Sequence, residues 1–246
     1  MSKDLRTLSE RKLLQGWTTA VPRTRVRLAT TADLPVITRL LPEAGVDLGE
    51  RVEAGLAEGT VGQAHRAALA QRGENHGTPG FLRAMAEAFA VGPDTAYLAA
   101  TVVLVAEHRE DGVLGVVVAF PPPNVAERLL IADDAAAQHN LQVLVQGVSG
   151  LAKVSALVVD SSARRRGVGA ALLSAVRRLF FYHGYLYVYG QMPQRPGLAD
   201  FYAAQGFQVY EPGQSLDLWT VFGVPGGIVP EQGEQLFVRG RPRSRG

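Results

Sequence analysis

The feature that most constrains this chain lies between Leu157 and His183, where an apolar strand passes through a turn of three arginines and two glycines into a long amphipathic helix. Leu157, Val158 and Val159 read as strand, and Asp160-Ser161-Ser162-Ala163 leads from them into Arg164-Arg165-Arg166-Gly167-Val168-Gly169-Ala170. From Gly167 to His183, Val168, Leu172, Ala175, Val176 and Leu179 share one helical face, and Gly184 stands where a left-handed cap belongs. Glycines at such a junction let the backbone turn tightly and approach a ligand, while the first amides of the helix lack partners inside it. A helix start carries roughly half a positive charge. With the arginines added, a pyrophosphate is the natural occupant. The nucleotide loop that ends in Gly-Lys-Ser/Thr does not fit, because no lysine or hydroxyl follows these glycines. The dinucleotide fingerprint fails too, since its third glycine position is Leu172.

Around this segment the chain alternates strands and helices. Arg25 to Leu28 reads as a strand, and Asp33 to Leu41 as a helix ended by Pro42. Two helical stretches follow between Gly45 and about Val91, separated by the loop Arg72 to Gly80. Thr101 to Glu107 and Val113 to Phe120, joined through Asp111-Gly112, predict a hairpin that Pro121, Pro122 and Pro123 stop. Asn124 to Gly150 reads as a helix plus a loop, and Leu151 to Val159 as the next strand. Tyr185 to Tyr189 predicts a half-buried strand, and Gly197 to Ala204 a short helix. Strands near Phe207 to Tyr210, Leu216 to Phe222 and Gln235 to Val238 complete the series. The fold class expected is α/β in the broad sense, a mixed sheet flanked by helices, with helical insertions.

Composition limits the partners. The 246 residues suffice for one enlarged domain, and 47% of them are apolar, which excludes a disordered chain. The longest apolar runs, such as Val113 to Phe120, are short and broken by glycine, so no membrane span is expected, and the amino terminus does not read as a secretory signal. Cytoplasmic location is the default expectation. Without cysteine there is no disulfide or thiolate chemistry, and His65, His76, His139 and His183 show no metal-ligand spacing, so no metal is expected. Twenty-five basic residues against 23 acidic ones leave no strong basic field, so nucleic acid is not the expected partner, although Arg239, Arg241, Arg243 and Arg245 form an arginine-rich tail.

Arg164, Gly167 and Gly169, following Leu157 and Val159 on a strand, resemble the Gln/Arg-x-x-Gly-x-Gly/Ala signature of the GCN5-related N-acetyltransferase (GNAT) superfamily. Downstream, Phe201-Tyr202-Ala203-Ala204-Gln205-Gly206-Phe207 is similar to that family's Phe/Leu-Tyr-x-x-x-Gly-Phe element, with Tyr202 38 positions after Arg164. The resemblance covers about Leu151 to Tyr210 and extends in outline to the first strand and helix and to the hairpin. It implies a twisted, mostly antiparallel sheet and a single domain over residues 25–238, with an amino-terminal arm at 1–24, inserts at about 45–100 and 124–148, and a disordered tail at 239–246. It also implies acetyl-CoA as co-substrate, its pyrophosphate held by the amides of Arg165, Arg166, Gly167, Val168, Gly169 and Ala170. Its pantetheine arm would pair with Leu157, Val158 and Val159 as an added strand would.

Acetyl transfer to an amine needs an unprotonated nucleophile, donors for the oxyanion and a proton for the leaving thiolate. The resemblance offers a main-chain amide near Val159 as the oxyanion donor and Tyr202 as the general acid, the other reading of Tyr202 being a packing aromatic beside Phe201 and Phe207. The base departs from the family. Where histone-type members carry a glutamate stands Lys153, and where members acting on protein amino termini can carry one stands Gly190. Arg195 replaces the asparagine that often contacts pantetheine, and a water chain, Glu107 or His108 is left to serve as base. The expected acceptor is a small-molecule or peptide amine. The inserts are expected to wall its pocket, or else to thicken the core or form a homodimer contact. A catalytically silent acyl-CoA-binding sensor or scaffold, and an acetyltransferase guided to RNA by the arginine tail, are the competing readings.

Overall fold

A computed structural model describes residues 8–71, 76–122, 150–219 and 226–242. Its contacts divide the chain into two units, Met1–Phe120 with Ser155–Gly184 and Ser244–Gly246, and Pro121–Val154 with Tyr185–Arg243.

The first unit begins with α1 (Glu10–Gln15), capped by the Ser9 side chain, which accepts from the Lys12 amide. The strands β1 (Trp17–Thr18) and β2 (Thr24–Leu28) follow, then α2 (Leu34–Leu40), α3 (Glu50–Glu58), α4 (Gln63–Ala70), α5 (Thr78–Val91) and α6 (Pro93–Ala100). The hairpin β3 (Val102–His108) and β4 (Gly112–Phe120), the last five residues of β5 (Leu151–Val159) and the long helix α7 (Val168–Tyr182) complete it. The strands β1 to β4 pair antiparallel in chain order. Every residue of the expected apolar stripe on α7 is buried, together with Leu173, Phe180 and Phe181, so the helix is anchored along its length. A second apolar cluster joins Ile37, Leu40 and Leu41 to Val103, Val105, Val116, Ala156 and Val158.

The second unit holds the first four residues of β5, β6 (Tyr187–Pro193), α8 (Leu198–Ala204), β7 (Gln208–Val209), the pair β8 (Leu216–Asp217) and β9 (Gly227–Ile228), and β10 (Glu234–Gly240). Here β5 runs parallel to β6, whereas β10 lies antiparallel to both β6 and β7. Leu151, Tyr189, Leu236 and Val238 bury its sheet face. The fold class is therefore the expected one, a mixed eight-stranded sheet, mostly antiparallel, flanked by helices. No described helix is long and apolar enough to cross a membrane.

Several local expectations shift. The two helical stretches expected between Gly45 and about Val91 are three helices, because Gly59 and Gly62, both left-handed, interrupt the first, and a further helix, α6, follows them from Pro93. The strand expected from Leu216 lasts two residues before a helical turn at Leu218 and Trp219. Arg239 and Gly240, expected in a loose tail, belong to β10. The amino-terminal segment carries structure of its own, with Trp17 opposite Val26 and both Leu13 and Trp17 buried. The insert expected at 124–148 lies outside the described residues, as do 243–246 of the tail.

His65 on α4 and His183 after α7 are both fully buried, with their Nδ1 atoms 2.8 Å apart. The Ala100 carbonyl lies 3.0 Å from His65 Nε2 and can only accept, so that nitrogen carries its hydrogen and His65 Nδ1 is left to accept from His183 Nδ1. Burial pushes His65 down to about 4, and burial followed by repulsion from His65 and His76 pushes His183 well below its ordinary value. Both are neutral in the fold at neutral pH, whereas the unfolded chain protonates them as pH drops through about 6.5. Each therefore subtracts up to about 1.4 kcal/mol of stability per pH unit between about 6.5 and its folded-state value, and nothing above 6.5. Urea unfolding is expected to show stability falling steeply between pH 6.5 and 5, with a clearly shallower slope in His183→Phe. An unchanged slope in that variant would contradict the assignment.

Candidate active site

The turn between β5 and α7 lies within the first unit. Ser161 to Ala163 form one turn of 3₁₀ helix, capped by Asp160, whose carboxylate accepts from the Ser162 amide at 3.1 Å and the Ser162 hydroxyl at 2.7 Å. Those bonds, with Arg39 from α2 at 2.8 Å, hold the Asp160 carboxyl down at about 2. Arg164 donates from Nε to the Val159 carbonyl at 3.1 Å and pairs with Glu43 just beyond α2. One signature arginine is thus committed to the protein, while Arg165 and Arg166 are exposed.

Arg165 has φ +63° and Gly167 has φ +86°, both left-handed. Left-handed residues within such a run turn successive amide hydrogens toward one side, the arrangement of anion-binding concavities. Ala171 is the first α7 residue whose amide reaches the carbonyl of the turn, at Gly167 (3.0 Å), so the amides of Val168, Gly169 and Ala170 precede the helical ladder. The sequence-predicted cradle, Arg165 to Ala170, is therefore gathered in one turn at one helix start.

The strand leading into it has its own geometry. In β5, Ala156 and Val158 are buried, whereas Leu157 and Val159 on the opposite face are half-buried. The β3–β4 register shifts between Ala106 and Glu107, leaving Leu114 as a bulge residue whose carbonyl accepts from the Asp160 amide at 2.9 Å. A Cβ on Gly115 would stand 2.7 Å from the Val158 carbonyl oxygen and 3.3 Å from Val159 Cα. The parallel ladder to β6 spans only Leu151 to Val154, so among the described residues no strand is registered with Ser155 to Val159 on that side.

Tyr202 lies on α8, in the second unit. Its ring is buried, stacked on Phe237 of β10 with centroids 3.7 Å apart and planes 13° apart, and edge-on to Phe207. Burial pushes its phenol above the ordinary value. Both the proton-donor role and the packing role that the sequence offered remain chemically available to it.

The base candidates resolve less favourably. Glu107 is engaged by Arg27 at 3.0 and 3.1 Å, and those bonds hold its carboxyl below the ordinary range. The same guanidinium binds Asp33 through both carboxylate oxygens, at 2.7 and 2.9 Å. His108 is buried and its Nδ1 accepts from the Asp111 amide at 3.2 Å, closing the hairpin turn. Lys153 lies in β5 opposite Tyr189, and Arg195 in the turn before α8, where its carbonyl accepts from Leu198. Sequence reasoning missed Arg39 and Glu43, for which no local pattern exists, and Gly115, for which one does. A lone glycine inside an apolar strand marks a bulge or a close backbone approach.

Residues 99–209 match the family model described as an acetyltransferase (GNAT) domain. Over that stretch, 111 of the 246 residues, the chain is similar to the GNAT superfamily. No curated protein matches it. Among solved structures it is similar to Ard1 from Thermoplasma volcanium, with 13% identity over 90% of this chain and 99% of that one and a TM-score of 0.45. It is also similar to diaminobutyrate acetyltransferase EctA from Paenibacillus lautus, solved with L-2,4-diaminobutyric acid and coenzyme A, with 15% identity over 91% and 98% of the two chains and a TM-score of 0.44.

Gly115→Ala is expected to lower stability by about 1–3 kcal/mol, because the new methyl meets backbone that cannot rotate away. Urea unfolding of the variant checks this, and an unchanged midpoint would contradict the close approach of β4 to β5.

Proposed function

We propose that this chain transfers an acetyl group from acetyl-CoA to a primary amine, with Tyr202 as the general acid. The observation that carries the reading is the turn from Arg164 to Ala170, where left-handed backbone, a helix start and two exposed arginines offer a pyrophosphate its donors. The pantetheine arm takes, by main-chain hydrogen bonds, the side of Leu157 to Val159 on which no described strand is registered. The amine nitrogen attacks the thioester carbonyl carbon, the carbon–sulfur bond breaks, and the thiolate takes the Tyr202 phenolic proton. The ammonium proton leaves to solvent, from which the phenolate is reprotonated. The two units are read as one acetyltransferase domain over residues 25–238, since β5 runs through both and the family match spans parts of both. The first insert, α3 to α6, is read as part of the acceptor side.

One observation favours the silent acyl-CoA-binding module instead. The two positions where relatives carry a glutamate hold Lys153 and Gly190, and Gly190 has no room for a side chain. Incubating the protein with acetyl-CoA and a panel of amines, polyamines, amino acids and peptides, while following CoA release, separates the readings. Turnover of any amine supports the enzyme, and tight acetyl-CoA binding without turnover supports the module.

Two variants are diagnostic. Gly169→Asp is expected to abolish acetyl-CoA binding in calorimetry while the far-ultraviolet spectrum keeps its folded form, since a carboxylate would stand at the pyrophosphate site. Unchanged affinity would overturn that assignment. Tyr202→Phe is expected to lower turnover about a hundredfold with acetyl-CoA affinity preserved, and full turnover would make Tyr202 a packing residue.

A further inference from the structure

We propose that Phe237 is the positioning residue for Tyr202, and that Gly190 is a glycine because the Phe237 ring occupies the space a side chain there would need. The inference rests on the general-acid reading of Tyr202 and goes beyond it.

All the groups involved belong to the second unit. Phe237 on β10 is the direct cross-strand partner of Gly190 on β6 and of Val209 on β7, so its backbone is held from both sides. Its ring lies over Gly190. A Cβ built there would meet the ring at Cζ and, 2.8 Å away, at Cε1, with the Val154 carbonyl oxygen also at 2.8 Å. An aromatic side chain lying across a facing glycine is a known device for covering a bare stretch of strand. The same ring is stacked on Tyr202, with centroids 3.7 Å apart. Phe207 is edge-on to both, at 5.2 Å from Phe237 and 6.0 Å from Tyr202. Gly190 bears on the ring of Phe237 and that ring bears on Tyr202, so a displacement of the first contact passes to the second.

A phenol that must deliver a proton to one sulfur atom depends on its placement, because proton transfer needs heavy atoms within hydrogen-bond reach. Tyr202 receives its position from α8 and from this stack. Any side chain at 190 lifts or tilts Phe237 and, through it, the Tyr202 ring. The same geometry makes a carboxylate at 190 and the Phe237–Tyr202 stack mutually exclusive.

The test uses the full chain, with six variants beside wild type: Gly190→Ala, Phe237→Val, the Gly190→Ala/Phe237→Val double, Tyr202→Phe, and each of the two single changes in the Tyr202→Phe background. The substrate-free readout is the ring-proton resonances of Tyr202, assigned by their loss in Tyr202→Phe. The stack predicts that they lie upfield in wild type and return toward ordinary tyrosine positions in Gly190→Ala and in Phe237→Val. Unmoved resonances in both variants overturn the inference. In turnover, with acetyl-CoA and the amine the panel identifies, each single change is expected to lower kcat about tenfold with the KM for acetyl-CoA unchanged. The double is expected to be no worse than Phe237→Val alone, because the added methyl no longer meets the ring. In the Tyr202→Phe background neither change is expected to cost anything further, an outcome a general loss of structure would not give. Multiplying effects in the double, or a further loss in the Tyr202→Phe background, overturn the positioning role. Full turnover in Tyr202→Phe sinks the general-acid reading itself and leaves the resonance result to decide whether the stack exists.

Discussion

The burial of one face of α7 is the interaction on which the rest depends. The amides at the start of that helix are useful only if they stay put, and they stay put because Val168, Leu172, Val176 and Leu179 are sunk in the core of the first unit while two ion pairs, Arg39 with Asp160 and Arg164 with Glu43, tie the preceding turn to the end of α2. Exposed ion pairs contribute little stability individually. Their value here is geometric, since they fix a turn that must otherwise hold Arg165 in a left-handed conformation costing about 1–2 kcal/mol. The bulge at Leu114 and the bare Cα of Gly115 serve the same end from the neighbouring strand, bringing β4 close to Val158, Val159 and Asp160.

The proposed reaction asks two different things of the chain, one of backbone and one of a side chain. The proposed pyrophosphate binding would rest on amides and turn geometry, and of the three arginines in the turn one is engaged by Glu43. Proton delivery, as proposed, would rest on the single phenol of Tyr202 and would be sensitive to what supports it. Among the described residues Tyr202 is supported by aromatic contact, and burial holds its proton more tightly than in water. Such a phenol delivers its proton only where negative charge builds up beside it, as on a departing thiolate.

Local pattern made the helix from Gly167 to His183, the β3–β4 hairpin and the turn at Arg164 to Gly169 legible, because each is specified by a few residues close in the chain. Gly184 indeed has φ +99°. The same reasoning merged α3 with α4, since an apolar helical rhythm continues across Gly59 and Gly62 and only the backbone shows the break, and it stopped at Val91, short of α6. Glu107 and His108 looked free because their partners, Arg27 and the hairpin amides, are contacts that periodicity does not encode. Phe237 escaped notice for the same reason. It stands 35 residues after Tyr202 and 47 after Gly190, and its meaning lies in a register that pairs it with one and a stack that joins it to the other.

The central claim is that the turn from Arg164 to Ala170, with the side of β5 on which no described strand is registered, is where acetyl-CoA binds. Amide hydrogen exchange, resolved by residue and compared with and without saturating acetyl-CoA, tests it most directly. The account predicts slowed exchange concentrated at Arg165 to Ala170 and along Ser155 to Val159, where amides would acquire phosphate and pantetheine acceptors. Slowing confined to other parts of the chain, with these amides exchanging as fast as in the free protein, would contradict it.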